Sequence, residues 1–339
     1  MPQERFALPL VSVVVPCLNR ADFLVPTIES ILRQDYPRIE CIVVDGGSTD
    51  ETLGILRGYE GRIKWLSESD AGPPDAINKG WRMCSGEILA WLNADDVWAP
   101  GAVSKAVAYF QKHAEVDVVY GDCGIIDQEE KIISTAYVRD WDLQHAVEYC
   151  DHTIHQAASF MRRSILERVG WLWPKLGHDH ELWLRISLAR GNLQRIPTLL
   201  AYARHHDGNL GYRPDIVIPL KLGITRSFFS NPALPPQLQG LRDRAISNSY
   251  LRCLDYVYLG RFRLFRDIPR SLGLLYQAIK ADKSNGVQTL KYLLRLPDVI
   301  AAVILKRYLP DWFYQGLRAR KRQVVDKLFR KNVAQEKNA

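Results

Sequence analysis

The sequence predicts an α/β fold: a doubly wound, mainly parallel sheet followed by a helical C-terminal region. Three observations predict it. From Val11 to Tyr120, short β-branched runs alternate with segments of helical apolar spacing. Polar turns rich in Asp, Gly and Ser close the apolar runs. Beyond Asp215 the spacing reads as helix only.

The elements follow in order. Val11–Val15 reads as a strand and Ala21–Gln34 as a helix. Glu40–Val44 is a second strand, and Asp50–Gly58 a second helix that Ser48 or Thr49 is placed to cap. Ile63–Ser67 and Asp75–Met83 are a third strand and helix. Ile88–Leu92 is a fourth strand, leading to the helix Pro100–His113 and the strand Val116–Tyr120. From Gln144 to Arg204 the pattern is mixed and rich in aromatic residues and histidine. The prolines at 214, 219, 232, 235 and 236 mark a boundary, giving a first domain over residues 1–215 and a helical region over 216–339. Within that region Asn248–Asp282 reads as a helical hairpin.

Composition bounds the function. With 47% hydrophobic and 24% charged residues, the chain is globular and not intrinsically disordered. Six cysteines, at 17, 41, 84, 123, 150 and 253, form no CxxC pair, which favours a reduced, cytoplasmic protein over a disulfide framework. Leu8–Leu18 lacks a basic flank and a cleavage site, and so reads as a buried strand, not a signal peptide. Val299–Leu305 is far shorter than the roughly 20 residues of a spanning helix. The net charge of +7 is modest, but Arg320, Lys321, Arg322, Lys327 and Arg330 concentrate it near the end. Together with Lys306, Trp312 and the basic–apolar run from Arg261 to Arg266, that tail suits a peripheral contact with an anionic membrane face. No nucleic-acid-binding motif accompanies the charge, so nucleic acid is not expected as a partner.

The chemistry falls at strand ends. Pro16-Cys17-Leu18-Asn19 closes the first strand. Asp45-Gly46-Gly47-Ser48-Thr49-Asp50 closes the second, placing a carboxylate and two glycines where backbone can approach a ligand. Asn93-Ala94-Asp95-Asp96 closes the fourth, and clustered carboxylates there suit Mg²⁺ or Mn²⁺ bridging a diphosphate. Taken singly, each is equally an ordinary βα turn or helix cap.

Taken together, they resemble the family 2 glycosyltransferases. The resemblance runs from about residue 9 to 210. It rests on the segments just named, on Ser67-Glu68-Ser69-Asp70-Ala71-Gly72-Pro73-Pro74-Asp75-Ala76-Ile77-Asn78-Lys79-Gly80, and on His178-Asp179-His180-Glu181-Leu182-Trp183. It implies the GT-A fold, a Rossmann-like nucleotide-diphosphosugar domain. Carried over by position, Pro16, Asn19 and Asp45 would line the nucleotide pocket, with Asp75, Asn78 and Lys79 near nucleotide and sugar. Asn93 and Asp95 hold the outer places of the family's Asp-x-Asp motif, Asn93 being a departure from it. Asp95 is then the preferred metal ligand, Asp96 the second choice, and His206 the histidine spaced to join them. Asp179 matches the catalytic base, with His178 replacing the usual Glu.

The implied reaction is an inverting transfer of a sugar from a UDP, GDP or dTDP sugar to an acceptor hydroxyl, with a divalent metal as cofactor. A glycan or lipid-linked intermediate at the inner face of the cell membrane is the implied acceptor. A sugar-phosphate nucleotidyltransferase is the main alternative, but the first strand end lacks the Gly-rich basic loop of that class. A non-catalytic scaffold is the other alternative. The histidines carry no H-E-x-x-H pattern, which argues against a zinc centre. Packing is expected of Trp171 and Trp173 before sugar stacking.

Overall fold

Strand β1 (Val11–Cys17) sends Val11, Val13 and Val15 to one side and Val14 to the other, and all four are fully buried. A strand buried on both faces must lie inside a sheet covered by helices twice over. The computed structural model, which describes residues 8–136, 138–174, 179–259, 268–282 and 284–285, shows that arrangement.

The parallel half contains β2 (Ile39–Asp45), β3 (Lys64–Ser67) and β4 (Ile88–Trp91) in the order β3-β2-β1-β4. The second half is mixed. It contains β5 (Val97–Trp98), β6 (Val118–Ile126), β8 (Ser159–Arg162) and β9 (Leu193–Arg204), with β7 (Ile132–Ala136) hairpinned onto β6. Order continues β4-β8-β6-β9-β5. Because β8 is antiparallel to both β4 and β6, and β9 is parallel to β6, strands β6 and β9 run in the direction of β1–β4. The tips of β1, β2, β3, β4 and β9 therefore share one edge, and the segment entering β8 reaches the same edge. Ligands of doubly wound sheets bind there.

On one face, α1 (Ala21–Leu32), α2 (Thr52–Gly58) and α4 (Ala102–Lys112) cover the sheet. The buried set Leu24, Thr27, Ile28 and Ile31 gives α1 its i, i+3, i+4, i+7 stripe. On the other, α3 (Pro73–Met83), α6 (Arg163–Val169) and α7 (Asp179–Leu188) enclose a tryptophan cluster. Trp81 meets Trp91 edge-on at 5.4 Å, and Trp91 stacks on Trp183 at 5.9 Å. Short α5 (Leu143–Tyr149) precedes β8, while α8 (Pro214–Phe229) and α9 (Pro236–Gln239) follow β9.

The described residues form two compact units, dividing between Leu241 and Arg242. In the second, α10 (Arg242–Leu259) and α11 (Ile268–Ala281) pack together, as the expected hairpin requires. Asn285 ties their ends by donating to Asn248 Oδ1 at 2.7 Å. The basic–apolar run from Arg261 to Arg266, Lys306, Trp312 and the basic tail lie outside the described residues. Among the described residues no helix is long and apolar enough to cross a membrane.

One local expectation is corrected. Neither Ser48 nor Thr49 caps α2, which begins after Glu51 without a side-chain cap. The Ser48 hydroxyl is taken by Asp45 and the Thr49 N–H by Asn19, so both residues serve the loop instead of the helix. All six cysteines are buried and stand outside disulfides, and burial pushes the Cys41 thiol up to about 12.

Gly80 lets α3 lie against β1. A Cβ there would stand 2.4 Å from Val14 Cγ1, inside a core where Val14 has nowhere to turn. Alanine in a helix is ordinarily worth about 1 kcal/mol over glycine. Overpacking of this kind costs about 1–3 kcal/mol. Gly80→Ala is expected to lower stability on balance, read as a lower denaturant midpoint at unchanged m-value.

Candidate active site

Asn19 sits at the tip of β1 with φ of 51°, a left-handed conformation that Asn tolerates better than most side chains. That turn aims its amide across the edge. Asn19 Oδ1 accepts from Thr49 N at 2.8 Å, and Asn19 N donates to Ser48 Oγ at 2.7 Å. Asp45 is fully buried below. Its Oδ2 accepts from Ser48 N (3.0 Å), Gly47 N (3.2 Å) and Ser67 Oγ (2.7 Å), and its Oδ1 from the Ser48 hydroxyl. Asn19 and Asp45 thus lock three strand tips into one cradle, with half-buried Pro16 beside it. A Cβ on Gly46 would lie 2.6 Å from Asp70 Oδ2, so a larger residue there would turn the Asp70 carboxylate aside.

The start of α3 adds a second group. Lys79 Nζ reaches Glu68 (2.8 Å), the Ser69 carbonyl (3.0 Å) and Asp75 (3.4 Å), so its ammonium is well occupied. Asn78 stands apart. Its Nδ2 donates to the Leu172 carbonyl at 2.7 Å and its Oδ1 accepts from Leu172 N at 3.1 Å. Both amide atoms clamp the main chain of the segment leading to Asp179. In that segment Trp171 packs on Trp81 at 5.9 Å, and the exposed Trp173 ring lies 5.2 Å from the Arg185 guanidinium.

At the tip of β4 the two carboxylates diverge. Asp95 Oδ2 meets His206 Nε2 at 2.9 Å. Since His206 Nδ1 accepts from Gly208 N at 3.1 Å, the neutral ring carries its proton on Nε2 and donates it to Asp95. Phe23 of α1 lies against the same ring at 4.7 Å. Asp96 turns inward, accepting from Arg204 N (3.0 Å), Asn93 Nδ2 (3.1 Å) and Gln156 Nε2 (3.3 Å). Burial first, and the neighbouring Asp95 second, raise its pKa well above the usual carboxylate range. Asn93 therefore acts as a donor to Asp96, a task no carboxylate could perform.

Arg204, which sequence reading passed over, holds this loop in place. It is 1% exposed, yet its guanidinium donates to the Asp95 carbonyl (2.9 Å), the Asp127 and Gln128 carbonyls (3.2 and 3.1 Å) and Glu130 (3.0 Å). Arg20 was missed as well; it lies 3.6 Å from Asp95 Oδ2.

Asp179 opens α7 and accepts from the N–H of His180 at 2.8 Å. His178 lies outside the described residues. His155, at the segment entering β8, is half-buried; burial lowers its pKa while Asp179 opposes the shift. His205 is lowered in turn by burial and by His155 and His206. These mutual fields connect Asp179 through His155 and His205 to His206 and Asp95.

Among the described residues no group of three or more His, Cys, Asp or Glu side chains gathers as a cation site. The Asp95 carboxylate and the His206 imidazole are donor types that would suit a divalent cation, which would have to displace the Nε2 proton that His206 donates to Asp95 in this structure.

The fold is of the GT-A type. Residues 12–170 match the model of Glycosyl transferase family 2. An uncharacterized glycosyltransferase of Rickettsia prowazekii is 31% identical over 54% of this chain and 60% of its own length. Chondroitin synthase of Escherichia coli is 34% identical over 38% of this chain and 19% of its own length. The chain thus spans about three-fifths of that Rickettsia relative. Among solved structures, S. aureus TarS 1–349 in complex with UDP-GlcNAc superposes with a TM-score of 0.59 at 16% identity, covering 95% of this chain and 92% of that one. Mannosyltransferase PcManGT from Pyrobaculum calidifontis in complex with GDP-Man and Mn²⁺ gives 0.55 at 18% identity, covering 88% and 87%.

If Arg204 fixes the Asp95 loop, Arg204→Leu strands the buried Asp95 carbonyl, at a cost of about 1–3 kcal/mol, and frees two part-buried carbonyls besides. Chemical denaturation is expected to show a loss of about 2–4 kcal/mol. A loss below 1 kcal/mol would show that the loop holds without it.

Proposed function

We propose that the chain is an inverting glycosyltransferase, moving a sugar from a nucleotide-diphosphate sugar to the hydroxyl of a glycan or lipid-linked acceptor. The observation that carries this reading is the convergence at one sheet edge of the Asn19–Asp45 cradle, the Asp95–His206 pair and Asp179. Proteins of this fold bind both UDP and GDP sugars, so the nucleotide is a UDP, GDP or dTDP species. Glycan and glycolipid acceptors accord with relatives such as chondroitin synthase and the PGL/p-HBAD biosynthesis glycosyltransferase of Mycobacterium bovis, the latter 36% identical over 34% of this chain and 47% of its own length. A cytoplasm-facing peripheral contact with membrane would bring such an acceptor to the edge.

In this mechanism the cradle holds the nucleoside. Its floor is Asp45, whose one lone pair not committed to the loop lies on Oδ1, and Pro16 and Asp75 flank it. Asp95 and His206 would hold Mg²⁺ or Mn²⁺, which would supply positive charge against that developing on the leaving diphosphate. Asp179 takes the proton of the acceptor hydroxyl as its oxygen bonds to the anomeric carbon. The bond to the diphosphate oxygen breaks on the opposite face, and the pair leaves with the nucleotide. The neutral His155 beside Asp179 adds no positive charge that would weaken the base. Asn78 acts indirectly, fixing the approach to Asp179 through Leu172.

Asp179→Asn is expected to lower acceptor-dependent nucleoside diphosphate release at least about a hundred-fold, while donor affinity by calorimetry changes less than three-fold. Turnover near the wild-type rate would remove Asp179 from the role. For the metal, Asp95→Asn is expected to weaken Mn²⁺ binding, measured by electron paramagnetic resonance, by about ten-fold or more. Unchanged Mn²⁺ affinity would place the ion elsewhere.

A further inference from the structure

Two arginines touch the Asp95 loop, and their contrast separates a structural from a ligand-facing role. Arg204 is buried, and each of its three guanidinium nitrogens is bonded within the protein. Arg20 is 27% exposed. It donates from Nη1 to the Asn19 carbonyl at 3.1 Å and from Nη2 to the Gly208 carbonyl at 3.3 Å. Its Nε stands 3.6 Å from Asp95 Oδ2, beyond hydrogen-bond length. A guanidinium has five N–H donors. The Nε–H and one N–H on each terminal nitrogen of Arg20 are thus left without a hydrogen-bond acceptor among the described residues.

These donors sit where charge must be neutralised. A diphosphate approaching the Asp95–His206 pair meets the Asp95 carboxylate, and one divalent ion offsets only part of the combined negative charge. Lys79 is committed to Glu68, Asp75 and Ser69, and Arg204 is buried. Arg20 alone among the cations described at this edge combines partial exposure with unfilled donors. Its fork matches two phosphate oxygens, geometry that favours Arg over Lys.

We infer that Arg20 is a donor-binding residue, clamping the nucleotide's diphosphate while leaning on Asp95. This rests on the glycosyltransferase reading and adds a residue to it. Arg20 links the β1 tip to the Gly208 turn, so the clamp spans the nucleoside cradle and the His206 loop.

The test is calorimetric titration of the full chain with Mn²⁺ and UDP, GDP or dTDP, set against UMP, GMP or dTMP. Arg20→Gln is expected to lose at least ten-fold affinity for the preferred diphosphate and less than three-fold for the matching monophosphate. Arg20→Lys should recover part of the loss. Equal losses for both nucleotides would make Arg20 a support for the loops, and no loss would remove it from the donor site; either overturns the inference. Thermal unfolding of both variants monitors folding. If Arg20→Gln does not fold, the Arg20→Lys comparison decides, with a selective diphosphate loss expected and an equal or absent one overturning it. A wild-type chain that binds no nucleotide would defeat the glycosyltransferase reading itself, an outcome distinct from any of these.

Discussion

The edge of this sheet depends on the buried union of Arg204 with the Asp95–Asp96 loop. Arg204 ends β9, and its main-chain N–H and guanidinium bind Asp96 and the Asp95 carbonyl across the sheet. That contact fixes two loops more than a hundred residues apart in sequence. It supports the placement of Asp95 Oδ2 at 2.9 Å from His206 Nε2, together with Thr27 on the Asp96 carbonyl and Asn209 on the His206 N–H. A fully buried guanidinium is costly to desolvate, and it is tolerated because four acceptors surround it. Its cation also lies 5.2 Å over the Phe23 ring, which itself packs on His206. One buried charge therefore ties the end of β9 to the loop after β4 and lies against the aromatic wall of the site.

Strand direction supplies the second constraint. The parallel half brings the tips of β1 to β4 together by itself. The antiparallel β8 then lets the chain reverse twice, so β9 delivers Arg204 and His206 to the same edge. The reversal also brings Gln156 to Asp96, with its Nε2 at 3.3 Å and its Oε1 buried without a partner. Asp96 is held above the usual carboxylate range by burial and by Asp95.

The parallel half was legible because β1 and β2, of seven residues each, are runs rich in buried β-branched side chains, which frame the shorter β3 and β4 through the helical spacing between them. Asp95 and His206 were legible as a pair only through resemblance, since 111 positions separate them and no local spacing joins them. Strands β5 and β8, of two and four residues, carry no periodicity to read. The capping role offered to Ser48 and Thr49 failed because a hydroxyl beside a buried carboxylate satisfies that carboxylate before it satisfies a helix end. Arg20 and Arg204 were not singled out for a different reason. Arginine is common on surfaces, and whether its donors are spent within the fold or left over is a property of tertiary contacts.

Asn93 shows how one substitution redistributes charge without dismantling the site. A carboxylate at that position would stand beside the buried Asp96, where the amide now donates at 3.1 Å. Two carboxylates at such a distance in a low-dielectric setting oppose each other's ionisation. The amide replaces that repulsion with a hydrogen bond and leaves Asp95 as the carboxylate of this loop directed toward His206 and Arg20. The attraction of the loop for a divalent ion then falls by roughly one unit of charge. In compensation, a cationic side chain beside Asp95 can meet phosphate without first overcoming a dense carboxylate field. With Arg20 as the proposed diphosphate clamp, the amide at position 93 and the guanidinium at position 20 would act as one electrostatic balance, shifting recognition of the diphosphate from the ion toward the protein.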